Sequence, residues 1–147
     1  MHNPCAVIPV YNHETAIGTV VDALLAQGLP CILVDDASTP SCARVLDALA
    51  ERESVHLVRL TLNQGKGGAV MTGLREAARL GFTHALQVDA DGQHDLHDVA
   101  RFVEESRAVA LADRNGTGRL RLWAPPDGAQ VWGARWSPRD DTLLVSV

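Results

Sequence analysis

Hydrophobic positions along the chain follow two alternating patterns. Short, mainly apolar runs occur at "CAVIPV" (5–10), "CILV" (31–34), "SVHLVRL" (54–60) and "THALQV" (83–88). Their length and β-branched content predict strands buried on both faces. Between them, apolar residues recur at helical spacing. Ile17, Val20, Val21, Leu24 and Leu25 form one stripe within 13–28, stopped by Gly28 and Pro30. Val45, Leu46 and Leu49 form a second over about 42–52, with Ser41 as the expected cap. Val70, Leu74, Ala77 and Ala78 form a third, from residue 65 to about Leu80, with Gly81 as its stop. Leu96, Val99, Ala100 and Val103 form a fourth over 95–108, with Asp95 as the better cap candidate.

This strand–helix alternation predicts an α/β fold, an open and mostly parallel sheet with helices on both faces. Such sheets bind ligands beyond the carboxyl ends of their strands. At those ends the chain carries "PVYNHE", "DDAST", "NQGKGG" and "DADGQH". One polar loop after a strand is usually a turn; four that converge on one edge point to a site.

From about Leu111 the rhythm stops. The chain therefore divides into an α/β domain at 1–108 and an atypical tail at 109–147, which holds all three tryptophans. The tail reads as short strands separated by Gly, Pro and Asp turns. Taken alone, its last part resembles a fragment of a WD-repeat blade, which cannot bury its own face in isolation.

Composition narrows the function. With 147 residues the chain is one domain or part of one. Apolar residues make up 46% and charged residues 21%, an ordinary globular balance. A net charge of −5, a pI near 5.6 and the lack of a Lys/Arg cluster argue against a nucleic-acid partner. Cys5, Cys31 and Cys42 form no CxxC pair and read as small apolar residues in a reducing compartment. There is no secretory pattern at the start, and no apolar run nears the roughly 20 residues of a membrane helix. The expected location is the cytoplasm, at most peripheral to the inner face of the membrane.

Two phosphate motifs fail. Lys66 is followed by Gly67, with no hydroxyl residue where a P-loop needs one, and Gly65 and Gly67 follow the third strand instead of the first. A nucleotidyltransferase would want a basic Gly-rich loop where "PVYNHE" stands. The acidic cluster is more informative. Asp89, Asp91 and Gln93 alternate along an extended segment, so their side chains project the same way. Two carboxylates and an amide oxygen are hard ligands suited to Mg²⁺ or Mn²⁺ that keeps sites open for a diphosphate. Asp89 and Asp91 have a plain alternative in solvated loop or cap positions.

In order and spacing, "AVIPVYNHE", "LVDDAST", "NQGKGGAV" and "QVDADGQH" resemble the family 2 glycosyltransferases of the GT-A (Rossmann-like) fold. They look most like the branch of dolichyl-phosphate mannosyltransferase and bacterial lipid-linked sugar transferases. The resemblance covers about residues 4–107. It implies that Pro9, Tyr11 and Glu14 line a nucleoside pocket, and that one of Asp35 and Asp36, with Asp36 favoured, accepts a hydrogen bond from the base. Asn63, Gly65, Lys66 and Gly67 match a loop near ribose and diphosphate. Asp89 and Asp91 match the DxD pair: Asp91 as a metal ligand, Asp89 towards ribose or metal, and Gln93 as a third ligand, with His94 flanking. The implied donor is a UDP- or GDP-linked sugar, transferred with inversion to a lipid-linked or polyprenyl phosphate acceptor. Plainer roles stand beside these. Tyr11 covers a sheet edge, one of the Asp35–Asp36 pair is a turn residue, the glycines permit a turn, and Lys66 is a solvated lysine. His13, His56, His84 and His97 lack metal-ligand spacing and are assigned no role.

Family members continue into an acceptor-binding half, where many supply a catalytic base; no segment here matches it, and Asp140 and Asp141 lack its context. The chain is thus expected to be truncated, its C-terminal part incomplete, with an exposed apolar patch where that half would pack. Two other functions stay open: a donor-binding fragment that transfers nothing, and an interaction module whose Trp-rich tail pairs with a partner's strand edge. Shifting the reading frame by one base over Gly116–Gly133, with codons chosen freely, permits "APVVYDCGRPPMARKYG". That string resembles the segment following the DxD region in this branch, so the tail is expected to be an out-of-frame terminus. Independent genomic reads should show the shifted frame; an intact in-frame gene in several of them overturns the idea.

Overall fold

The computed structural model describes residues 2–93, 96, 99–101, 103–104, 133–136 and 143–146, the last two stretches through their backbone pairing. In chain order the elements are β1 (Pro4–Val10), α1 (Ile17–Ala26), β2 (Cys31–Asp35), α2 (Pro40–Leu49), β3 (Val55–Arg59), α3 (Gly65–Arg79), β4 (His84–Gln87), β5 (Gly133–Trp136) and β6 (Leu143–Ser146). They form one sheet of order β3-β2-β1-β4-β6-β5. The first four strands are parallel, β6 runs parallel to β4, and β5 is antiparallel to β6.

The period of two along each strand divides the interior into two cores. Ala6, Ile8 and Val10 of β1 join Leu33 of β2 and the stripes of α1 and α2 on one face. Val7 of β1 joins Ile32 and Val34 of β2 and the buried face of α3 on the other. β1 and β2 are covered on both faces, which is why their sequences read as nearly continuous apolar runs. Burial pushes the Cys5 and Cys31 thiols up to about 12, so both stay protonated, as core residues would.

Three local expectations are corrected, and the tail adds a feature that was not expected. Helix α2 starts at Pro40 with Thr39 as its N-cap residue, not at Ser41, because the fixed φ of proline suits the first helical position. The buried line of α3 is Ala69, Gly73 and Ala77, while Val70, Leu74 and Ala78 are half-buried. Small residues take the centre because the helix lies close on the sheet. Ala100 is exposed, although Val99 is buried and Leu96 and Val103 pack against the first core. The proposed caps and flanks at His94 and Asp95 lie outside the described residues. Finally, the edge of β4 does not stay open: Leu143–Ser146 of the tail pairs with it, satisfying backbone groups that a buried strand would otherwise leave bare.

Gly73 measures the closeness of α3. A Cβ there would sit 2.3 Å from Val7 Cγ1 and 2.9 Å from Val34 Cγ2, whereas at Gly18 of α1 it would meet nothing within 4 Å. Helix propensity alone favours alanine by about 1 kcal/mol at either position. We expect Gly18→Ala to raise the melting temperature, and Gly73→Ala to lower it by overpacking worth about 1–3 kcal/mol. Thermal denaturation of the two variants checks the opposite signs.

Candidate functional site

The parallel strands end together, and their loops are cross-tied. Beyond β1, Asn12 adopts φ 59°, a left-handed conformation that asparagine tolerates. Its backbone N–H donates to Ser38 Oγ at 3.1 Å, and its Oδ1 accepts from the Thr39 N–H at 2.8 Å. Ser38 Oγ in turn donates to the Val10 carbonyl at 3.3 Å. The loops after β1 and β2 are therefore tied together.

The paired aspartates after β2 have separate tasks. Asp35 is 1% exposed and turns away from the cleft. It accepts from Arg59 Nε at 2.8 Å and from the Ser38 N–H at 2.9 Å. Burial pushes its carboxyl up, but the hydrogen bonds from Arg59 and Ser38 outweigh that and hold it below its ordinary range. Asp36 is 3% exposed. Its backbone N–H donates to the Val10 carbonyl at 2.9 Å, its Oδ1 accepts from the Gln64 N–H at 2.7 Å, and its carbonyl accepts from Asn63 Nδ2 at 3.1 Å. Asn63 Oδ1 also accepts the Gly65 N–H at 3.1 Å, shaping the entry to α3, where Gly65 needs φ 75°.

On the fourth loop, the Val88 N–H donates to the Val7 carbonyl at 3.0 Å and carries the strand direction up to the acidic pair. Asp89 Oδ1 accepts from Gln87 Nε2 at 2.8 Å and meets Lys66 Nζ at 2.5 Å. Asp91 Oδ1 accepts the Gln93 N–H at 3.0 Å, a local turn that leaves the carboxylate at the loop surface.

A cleft of about 400 Å³ opens between these loops. Of the residues expected from sequence, Pro9, Tyr11, Asp36, Asn63, Gly65, Lys66, Asp89 and Asp91 line it. Four others lie outside its lining. Asp35 faces Arg59. Glu14 faces the start of α2, with Ser41 Oγ 3.5 Å from its Oε1 and its buried Oε2 lacking a hydrogen-bond partner. Gly67 sits on the exposed first turn of α3, and Gln93 is exposed beside Asp91. Sequence reasoning missed His13, which lines the cleft; its place in the loop after the first strand was the available signal. It also missed Arg59, whose Nη2 bonds Asp47 Oδ1 at 3.0 Å while Nε holds Asp35.

Among the described residues no three His, Cys, Asp or Glu side chains converge as a metal cluster. The donors present nevertheless fit Mg²⁺ or Mn²⁺. These ions are held by one or two carboxylates with phosphate and water oxygens completing the shell, and Asp89 and Asp91 line one cleft as such hard donors.

An open α/β sheet with one acidic, lysine-bridged cleft at its strand ends defines a ligand-binding α/β protein of the doubly wound kind. The family model for "Glycosyl transferase family 2" matches residues 5–116, and the chain belongs to that family. It is 29% identical over 141 residues to the undecaprenyl-phosphate mannosyltransferase of Micrococcus luteus, covering 90% of this chain and 57% of that protein. It is 33% identical over 112 residues to the UDP-N-acetylglucosamine–dolichyl-phosphate N-acetylglucosaminyltransferase of Methanococcus voltae, covering 67% of this chain and 45% of that one. The chain thus spans about half the length of these relatives. In fold it is similar to S. aureus TarS, solved in complex with UDP, with a TM-score of 0.55 and 23% identity over 71% of this chain and 33% of that one. The GT-A fold implied by the motifs is the fold of this chain.

The Asp35–Arg59 pair has a pH signature. The folded carboxyl titrates below the ordinary value of 3.8, so its stabilisation is fully present above about pH 4 and is lost as pH falls through the lowered value. Arg59→Gln leaves a buried carboxylate short of its donor and should cost about 1–3 kcal/mol at pH 7. The stabilisation is lost as pH falls through the lowered value, so the gap between wild type and Arg59→Gln should narrow as pH is lowered from 7. Thermal melts over that pH range check it; an unchanged gap overturns the assignment.

Proposed function

We propose that the cleft binds the nucleoside diphosphate of a sugar donor, and that the whole protein transfers the sugar to a polyprenyl-type phosphate. The observation that carries the reading is the convergence of four loops on one cleft, with the buried Asp36 on one wall and Asp89 and Asp91 on another. A volume of about 400 Å³ is in the range of small-ligand sites. Pro9, Tyr11 and Asp36 hold the base, with Asp36 accepting from it, and Glu14 and Asp35 brace the loops that carry them. Asn63, Gly65, Lys66 and Gly67 face ribose and diphosphate. Lys66 supplies a mobile positive charge to phosphate.

Asp89, Asp91 and Gln93 would hold Mg²⁺ or Mn²⁺, which offsets diphosphate charge when bound. Transfer then requires an acceptor oxygen to form a bond to the anomeric carbon while the bond to the diphosphate breaks and its electron pair leaves with phosphate. An acceptor phosphate is already anionic and needs no base from the protein. The named acceptors of the similar proteins, undecaprenyl and dolichyl phosphates, suit this chemistry. No helix among the described residues is long and apolar enough to cross a membrane.

A second reading is that the cleft holds donor without transfer; the residues present cover 57% of one relative and 45% of another. Binding is therefore tested before turnover. Calorimetric titration of UDP and of GDP, with and without Mn²⁺, should show metal-dependent binding of one of them. Asp91→Ala should weaken it by at least about tenfold. A folded chain that binds neither nucleotide overturns the reading; binding without sugar transfer selects the fragment.

A further inference from the structure

We propose that Lys66 and the divalent cation compete for Asp89, so that the cation binds tightly only in company with the diphosphate that receives the lysine. The inference rests on the reading above.

Lys66 occupies the first turn of α3, the end of the helix where the macrodipole disfavours positive charge. Nothing within its own first turn compensates, because that turn carries no acidic residue. Its ammonium instead crosses to the loop after β4 and meets Asp89 Oδ1 at 2.5 Å. The same oxygen also accepts from Gln87 Nε2 at 2.8 Å. A divalent ion drawn to this carboxylate meets an ammonium already on it, and the two like charges repel. The amide is anchored on β4, whose Gln87 is buried, whereas the lysine side chain is 59% exposed on a flexible stem. The lysine is the group that moves.

Its destination lies in the same cleft. Lys66 lines it together with Gly65, Asp89 and Asp91, so an ammonium that leaves Asp89 stays within reach of a ligand bound there. A helix start favours phosphate, and α3 begins at this wall of the cleft. A diphosphate at that place would draw the released ammonium off Asp89 and bring its own oxygens to the cation. Lysine thus antagonises the bare cation and supports the cation–nucleotide pair, a coupling that must be reciprocal.

The experiment is Mn²⁺ titration followed by the resonance of the free ion, on wild type, Lys66→Met, Asp89→Asn and the double variant, each repeated with the nucleotide that wild type binds. Lys66 is exposed, so Lys66→Met should fold. Without nucleotide, Lys66→Met should bind Mn²⁺ about fivefold or more tightly than wild type. With nucleotide, Lys66→Met should bind the pair more weakly than wild type. The gain without nucleotide should vanish in the Asp89→Asn background. Unchanged or weaker binding of Mn²⁺ alone in Lys66→Met overturns the competition. A gain that persists with Asp89→Asn also overturns it, since the lysine would then act by general charge. Failure of wild type to bind UDP or GDP with Mn²⁺ counts separately, against the donor-site reading.

Discussion

The buried residue Asp36 is the point on which the site depends. Its amide holds the end of β1, its carboxylate accepts from the Gln64 amide at 2.7 Å, and its carbonyl takes the Asn63 side chain. Three loops are joined by one residue that is 3% exposed. A buried carboxylate is costly without donors, so the arrangement is stable only when all three loops are in register. The parallel sheet makes this possible: β1, β2 and β3 end side by side, and residues at their ends fall within hydrogen-bond reach.

Each acidic residue at this edge is handled by a different device. Asp35 is neutralised by a strand neighbour, Arg59, and serves the scaffold. Asp36 accepts a backbone N–H and serves both scaffold and cleft. Asp89 is held by a lysine on a flexible stem, a partner that can leave. Strand and backbone groups thus compensate Asp35 and Asp36, and a side chain from another loop compensates Asp89.

The chain belongs to glycosyltransferase family 2, and the match at residues 5–116 spans all four loops of the cleft. Coverage of 57% and 45% of two relatives leaves much of each unmatched by this chain. The sheet nevertheless does not end at β4, because Leu143–Ser146 continues it in parallel and Gly133–Trp136 follows in antiparallel fashion. The tail, which loses the strand–helix period in sequence, thus contributes backbone to the same layer.

Much of the fold was legible because its causes are local. Continuous apolar runs and helical stripes follow from burial on two faces or one, and Gly28 and Gly81 stop their helices at φ 74° and 85°. The motif order marked the cleft, since strand ends in a parallel sheet share an edge whatever their sequence separation. Other features were not legible because they depend on distances between remote segments. The buried line of α3 runs through Gly73 because Val7 and Val34 leave no room for a larger residue. Asp35 and Asp36 look alike in sequence, yet Arg59, 24 residues away, claims the first and leaves the second to the cleft. The Lys66–Asp89 contact and the place of His13 in the cleft arose only when separate loops met. Periodicity and order along the chain determined the layers and the edge; which polar group faces which partner was decided by tertiary packing, because hydrogen bonds and ion pairs act over a few ångströms in space and are blind to sequence distance.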